Sequence, residues 1–114
     1  MDIYTAQLRY SGPDRLDITV KGQDPFGKYF APTWPMVRGL KNKTLSEEDY
    51  TKRYHELLMA VGPAIWSALA IRLKTAGSIT LVCYCSSGAF CHRLILADVM
   101  EKMGLGEYKG ERKL

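Results

Sequence analysis

Ser78-Ile79-Thr80-Leu81-Val82-Cys83-Tyr84, running on into Cys85-Ser86-Ser87-Gly88-Ala89-Phe90-Cys91-His92-Arg93, decides how this chain is read. The first seven residues are the best strand in the sequence. They are rich in β-branched residues and bounded by Gly77 on one side and a Ser-Ser-Gly turn on the other. Leu81, Val82 and Cys83 are apolar without alternation, as in a central strand covered on both faces. Beyond the turn, Phe90–Met103 reads as a helix with Leu94, Ile95, Ala97 and Val99 among its apolar positions, and Gly104 ends it. A strand that passes through a short loop into a helix is an α/β unit, and such folds bind ligands at the carboxyl ends of their strands.

Upstream of this unit, two helices are expected. Ser46 is a good N-cap, and Glu47, Glu48 and Asp49 set negative charge against the positive end of the helix dipole. Tyr50, Tyr54, Leu57, Leu58 and Val61 fall at helical spacing. Gly62-Pro63 breaks that run and starts a second helix, with Trp66, Leu69, Ala70 and Leu73 as its buried stripe. At the N-terminus, Ile3–Tyr10 reads as a strand and Ser11-Gly12-Pro13-Asp14 as a turn. Leu16, Ile18 and Val20 then alternate with polar residues in a second strand, which either forms a hairpin with the first or lies apart from it. Gln23–Lys43 is expected to be a long irregular loop, because Pro25, Gly27, Pro32, Pro35 and Gly39 interrupt regular structure. The expectation is a small three-layer Rossmann-like α/β fold with a mixed sheet. It would span residues 1–104, with residues 105–114 as a basic, solvated tail.

The 114 residues suit one domain able to bury its core without staples. Charged residues are 25% and hydrophobic residues 46% of the chain, ordinary for a water-exposed globular protein. No apolar run is long enough to span a bilayer. Met1-Asp2-Ile3-Tyr4 lacks the basic start and apolar core of a secretory signal, so a cytoplasmic location is expected. The formal charge of +4 favours anionic partners: a small anionic molecule, a nucleotide or nucleic acid.

The three cysteines crowd into Cys83–Cys91, which argues against a framework of disulfides tying distant loops together. Cys91 sits at a helix start beside His92 and Arg93, surroundings that lower a thiol pKa, so Cys91 and His92 are the candidate catalytic pair. Cys85, Ser86, Ser87, Gly88 and Arg93 are the candidate ligand-binding residues, through free backbone N–H groups and a fixed cation. A phosphatase loop is excluded, because neither Cys85 nor Cys91 stands at the required distance from Arg93. Zinc held by the four possible ligands Cys83, Cys85, Cys91 and His92 is disfavoured as well: on an extended strand the Cβ atoms of Cys83 and Cys85 lie about 7 Å apart, wider than a thiolate pair prefers, and the two-residue gap of zinc knuckles is absent. No cofactor is therefore expected. A Cys85–Cys91 disulfide across the turn is disfavoured to the same degree. For Arg93 the bland alternative is a pair with Asp98 or Glu101. Asp17 and Thr19 are either solvent-facing or the far wall of the site, and His55 is an exposed helical residue. Tyr29, Trp34 and Arg38 of the long loop are candidate ligand contacts, against the simpler role of anchoring the loop to the core.

These residues resemble a known family. Ile79-Thr80-Leu81-Val82-Cys83-Tyr84-Cys85 with Phe90-Cys91-His92-Arg93 is similar to the signature of domain-of-unknown-function family 488. So are Leu16–Lys21, Phe30-Ala31-Pro32-Thr33-Trp34 and the Tyr50, Tyr54, Leu57 helix. The likeness covers residues 1–103 and is to the compact branch found in bacteria and their phages. It implies a small α/β fold and a cytoplasmic setting, with no established activity. It also implies that a cysteine nucleophile is not obligatory, which shifts weight to binding through the helix start, His92 and Arg93. Three readings follow: a site for a nucleotide or other phosphorylated ligand at Cys83–Arg93, a thiol-dependent enzyme using Cys91 and His92, and a small interaction or inhibitor protein without catalysis.

Overall fold

The computed structural model describes residues 1–84 and 90–113. Strand β1 (Asp2–Gln7) leads to β2 (Arg15–Asp17), a 3₁₀ turn (Gly27–Phe30), α1 (Trp34–Lys41), α2 (Glu47–Met59), α3 (Pro63–Ala76), β3 (Ser78–Cys83), α4 (His92–Lys102) and β4 (Glu107–Glu111). The sheet runs β2-β3-β1-β4, and all of its pairings are parallel. It is thus more uniform than the mixed sheet expected. The first two strands do not form a hairpin, because β3 lies between them.

Side-chain alternation sorts the sheet into two faces. Ile3, Leu16, Ile79 and Leu81 align across β1, β2 and β3 and join one buried cluster with residues from all four helices, among them Met36, Tyr54, Leu69, Leu73, Leu96 and Met100. The opposite face carries Tyr4, Arg15, Ser78 and Thr80, and the segment 8–14 is bound to it. There Asp14 accepts from Tyr10 Oη at 2.6 Å, Ser78 Oγ at 2.7 Å and Thr80 Oγ1 at 2.9 Å. The Arg112 guanidinium lies 3.8 Å from the Tyr4 ring centroid and donates to Thr80 Oγ1 at 2.9 Å. The arrangement is α/β and Rossmann-like, with helices, sheet and this polar layer in sequence.

Local chemistry explains the helices. Ser46 Oγ caps α2 by accepting from Asp49 N at 3.0 Å. Pro63 opens α3, and Gly77 closes it at a φ of 81°, a left-handed conformation that costs glycine nothing. The long loop is a correction to the expectation. Its prolines do not exclude helix, because Pro35 occupies the first turn of α1, where its missing N–H is not needed, and Thr33 Oγ1 caps that turn. The 3₁₀ turn is fastened by Tyr54 Oη, which donates to the Phe30 carbonyl at 2.6 Å inside the core. The segment expected as a solvated tail also differs, since residues 107–111 form the edge strand β4 against β1. Among the described residues, no single helix is long and apolar enough to cross a membrane.

Candidate functional site

The carboxyl end of β3 and the start of α4 meet as expected, but the side chains there divide the work differently. Cys83 is the last residue of β3 and Cys91 is the N-cap of α4. The two are joined as a disulfide, their Cα atoms 7.9 Å apart. The cysteine pairing weighed in the sequence was Cys85 with Cys91. Cys85, Ser86, Ser87 and Gly88 lie outside the described residues.

His92 follows Cys91 into the interior and is 7% exposed. Its Nε2 lies 2.7 Å from the Ile18 carbonyl oxygen. A carbonyl only accepts, so Nε2 carries the proton and Nδ1 keeps its lone pair. That lone pair stands 3.5 Å from Cys91 Sγ. Burial pushes the His92 pKa down to about 4, against the upward pull of the Ile18 hydrogen bond. The ring is therefore neutral at ordinary pH. A neutral His92 can accept a hydrogen bond or hold a metal, but its burial opposes the imidazolium that a thiolate–imidazolium pair requires.

Arg93 is fully buried, and its fork grips Glu111 through Nε at 3.1 Å and Nη2 at 2.8 Å. Its Nη1 donates to Cys83 Sγ at 2.8 Å. Neither Asp98 nor Glu101 is its counterion: Asp98 pairs with Lys102, and Glu101 accepts from Tyr108 N. Burial raises the Glu111 pKa, but hydrogen bonds from Arg93 and Thr5 outweigh it and hold the carboxyl below its usual range. Arg93 thus clamps β4 to α4 and does not line the cavity described next.

That cavity is a groove of about 450 Å³ between the segment after β2, α1 and the start of α4. Trp34, Tyr84 and Phe90 give it aromatic walls, and Cys91 and His92 lie on its floor. Lys21 and Lys41 stand on its rim, with Lys21 Nζ 5.6 Å from the Trp34 ring centroid. Thr19 also lines the groove, held by a hydrogen bond of 2.7 Å to Asp17 Oδ1. Of the three aromatic-loop candidates, Trp34 lines the groove, whereas Tyr29 and Arg38 do not. His55 is exposed on α2, as expected.

Sequence reasoning missed Lys21 as a groove residue and Glu111 as the partner of Arg93. Tyr84 and Phe90 lie inside the Cys83–Arg93 segment it singled out, and Lys41 stood among the cations of the long loop. Neither Lys21 nor Glu111 had a sequence signal, because separate segments bring each to its place.

No curated protein and no solved structure matches the chain. The family model described as the active DUF488-N3 subclade matches residues 3–104, which takes in all three cysteines, His92 and Arg93. With nine-tenths of its length matched, this chain belongs to the DUF488 family.

Proposed function

We propose that the protein binds a small anionic ligand carrying a planar ring, of the nucleotide class, in the groove above Cys91 and His92. The observation that carries this reading is the pairing of aromatic walls with rim lysines at the carboxyl end of the central strand. Trp34 is 42% exposed and Tyr84 63%, so both can stack on a ring. Lys21 and Lys41 reach an anionic group that extends past it. This moves the ligand contacts from Arg93, which is internal, to the lysines. The setting we infer is the cytoplasm, where thiols are kept reduced. Thiol chemistry at Cys91 is the second reading, supported by the His92 lone pair at 3.5 Å and opposed by the burial that keeps His92 neutral.

The test is titration calorimetry with a nucleoside monophosphate, the matching nucleoside and ribose 5-phosphate. Binding of the monophosphate above both others is expected. Trp34→Ala should weaken it by about 1–3 kcal/mol, the worth of one stacked base. Equal binding to Trp34→Ala and wild type would dismiss the stacking role, and no binding by any of the three would dismiss the ligand class.

A further inference from the structure

Cys83, Cys91 and His92 come from a strand end and a helix start, and their ligand atoms all lie within 4.8 Å of one another. All three residues are buried. Sequence spacing disfavoured zinc held by Cys83, Cys85, Cys91 and His92, but the width objection was to the Cys83–Cys85 pair, and the fold brings Cys83 to Cys91 and His92 without it.

We infer that these three side chains, with both thiols reduced, form a binding site for a zinc-class divalent metal ion. The distances suit it. Bonds of about 2.3 Å to sulfur and about 2.0 Å to nitrogen at a tetrahedral angle put the two ligand atoms about 3.5 Å apart. Cys91 Sγ and His92 Nδ1 are separated by 3.5 Å. The Cα atoms of Cys83 and Cys91, 7.9 Å apart, leave their sulfurs room to separate around an ion by side-chain rotation.

The surroundings suit it too. A metal-bound histidine almost always donates its other ring N–H to a carbonyl or carboxylate, and His92 Nε2 does so to Ile18 O at 2.7 Å. Arg93 Nη1 donates to Cys83 Sγ at 2.8 Å, the kind of outer contact that stabilises a thiolate ligand. The charges close as well. Two thiolates neutralise the divalent ion, and Glu111 neutralises Arg93. Among the described residues, three protein ligands beside an open groove fit the pattern of a catalytic metal site, whose remaining position water or substrate can take. The inference goes beyond the groove's ligand and is tested without it.

The disulfide and the metal site are two states of the same sulfurs. A trialkylphosphine and water reduce the disulfide: two electrons and two protons make the two thiols, and the oxygen leaves as phosphine oxide. Metal binding then releases the two thiol protons. The experiment is a cobalt(II) titration of the reduced full-length protein without oxygen, followed by zinc(II). One equivalent of cobalt should give thiolate-to-metal charge transfer with tetrahedral d–d bands, and zinc should abolish both. Cys83→Ser and Cys91→Ser should each lower the charge-transfer intensity. His92→Gln should weaken binding by roughly 100-fold or more. Circular dichroism of each metal-free variant identifies any that fails to fold. The wild-type spectrum decides without them: reduced wild type lacking the charge-transfer band overturns the site. So does a band that persists unchanged in folded Cys91→Ser.

Discussion

At the scale of single residues, Arg93 shows how a side chain considered for ligand binding can also serve the fold. Cys91-His92-Arg93 stood out in the sequence as a candidate site, and in the structure Cys91 and His92 line the groove. Arg93 points inward instead, because the carboxylate that receives it comes from residue 111, in a segment with no apolar signal. A bidentate pair with one fully buried partner is costly to break from one side. Glu111→Ala should therefore lower the stability by about 1.5–3 kcal/mol, the worth of hydrogen bonds to a charged group, read as a lower urea midpoint at unchanged slope. A change within 0.5 kcal/mol would show that the pair contributes little to stability. Arg93→Ala is correspondingly a poor probe of ligand binding, for it disturbs the fold first.

Among elements, β3, α2, α3 and α4 were legible because each has its own period, cap or breaker. β2 was read too long: Leu16 and Ile18 are buried as the alternation demands, but the ladder stops at Asp17. Past that point the chain turns to form the groove wall at Thr19 and Lys21. α1 was hidden by its prolines, since a proline in a first turn and a proline in a loop look alike until the cap is seen. The turn that precedes α1 depends on a distant element, and Gly27 shows why. A Cβ there would collide with the backbone oxygen of Asp17, so the turn sits directly against β2. Its other fastening is Tyr54. Tyr54→Phe leaves the Phe30 carbonyl unpaired in the core and should cost about 1–3 kcal/mol in thermal or urea unfolding. A neutral result would show that the carbonyl finds water. Because the same segment leads into Trp34, the variant should also weaken ligand binding in the groove.

For the whole molecule, the α/β class was legible from the order of elements, whereas the strand order was not. Strand order depends on which chain ends meet, and here Asp14, Ser78, Thr80 and Arg112 meet across almost the full sequence. That polar layer makes acid stability a property of the assembly. Burial raises the Asp14 pKa, but hydrogen bonds from Tyr10, Ser78 and Thr80, with the charge of Arg112, outweigh it and hold the carboxyl below its ordinary value of 3.8. Glu111 is likewise held below 4.5. A lowered folded pKa means that the unfolded chain takes up the proton first. The stability these carboxylates supply is therefore full above their ordinary range and is lost as pH falls through it to the folded values. Urea midpoints should drop below about pH 4.5, and less steeply in Asp14→Asn. An unchanged slope in that variant would remove Asp14 from the account.

The pairing of β4 with β1 has a consequence for the protein's birth. β1 leaves the ribosome well before its partner strand, so its outer edge stays bare until residues 107–111 emerge. Until then the nascent chain carries an unpaired strand edge, and the Arg93–Glu111 pair has not formed. Completion of the fold must wait for the end of this segment's synthesis. A translational pause before residue 107 would hold an aggregation-prone intermediate.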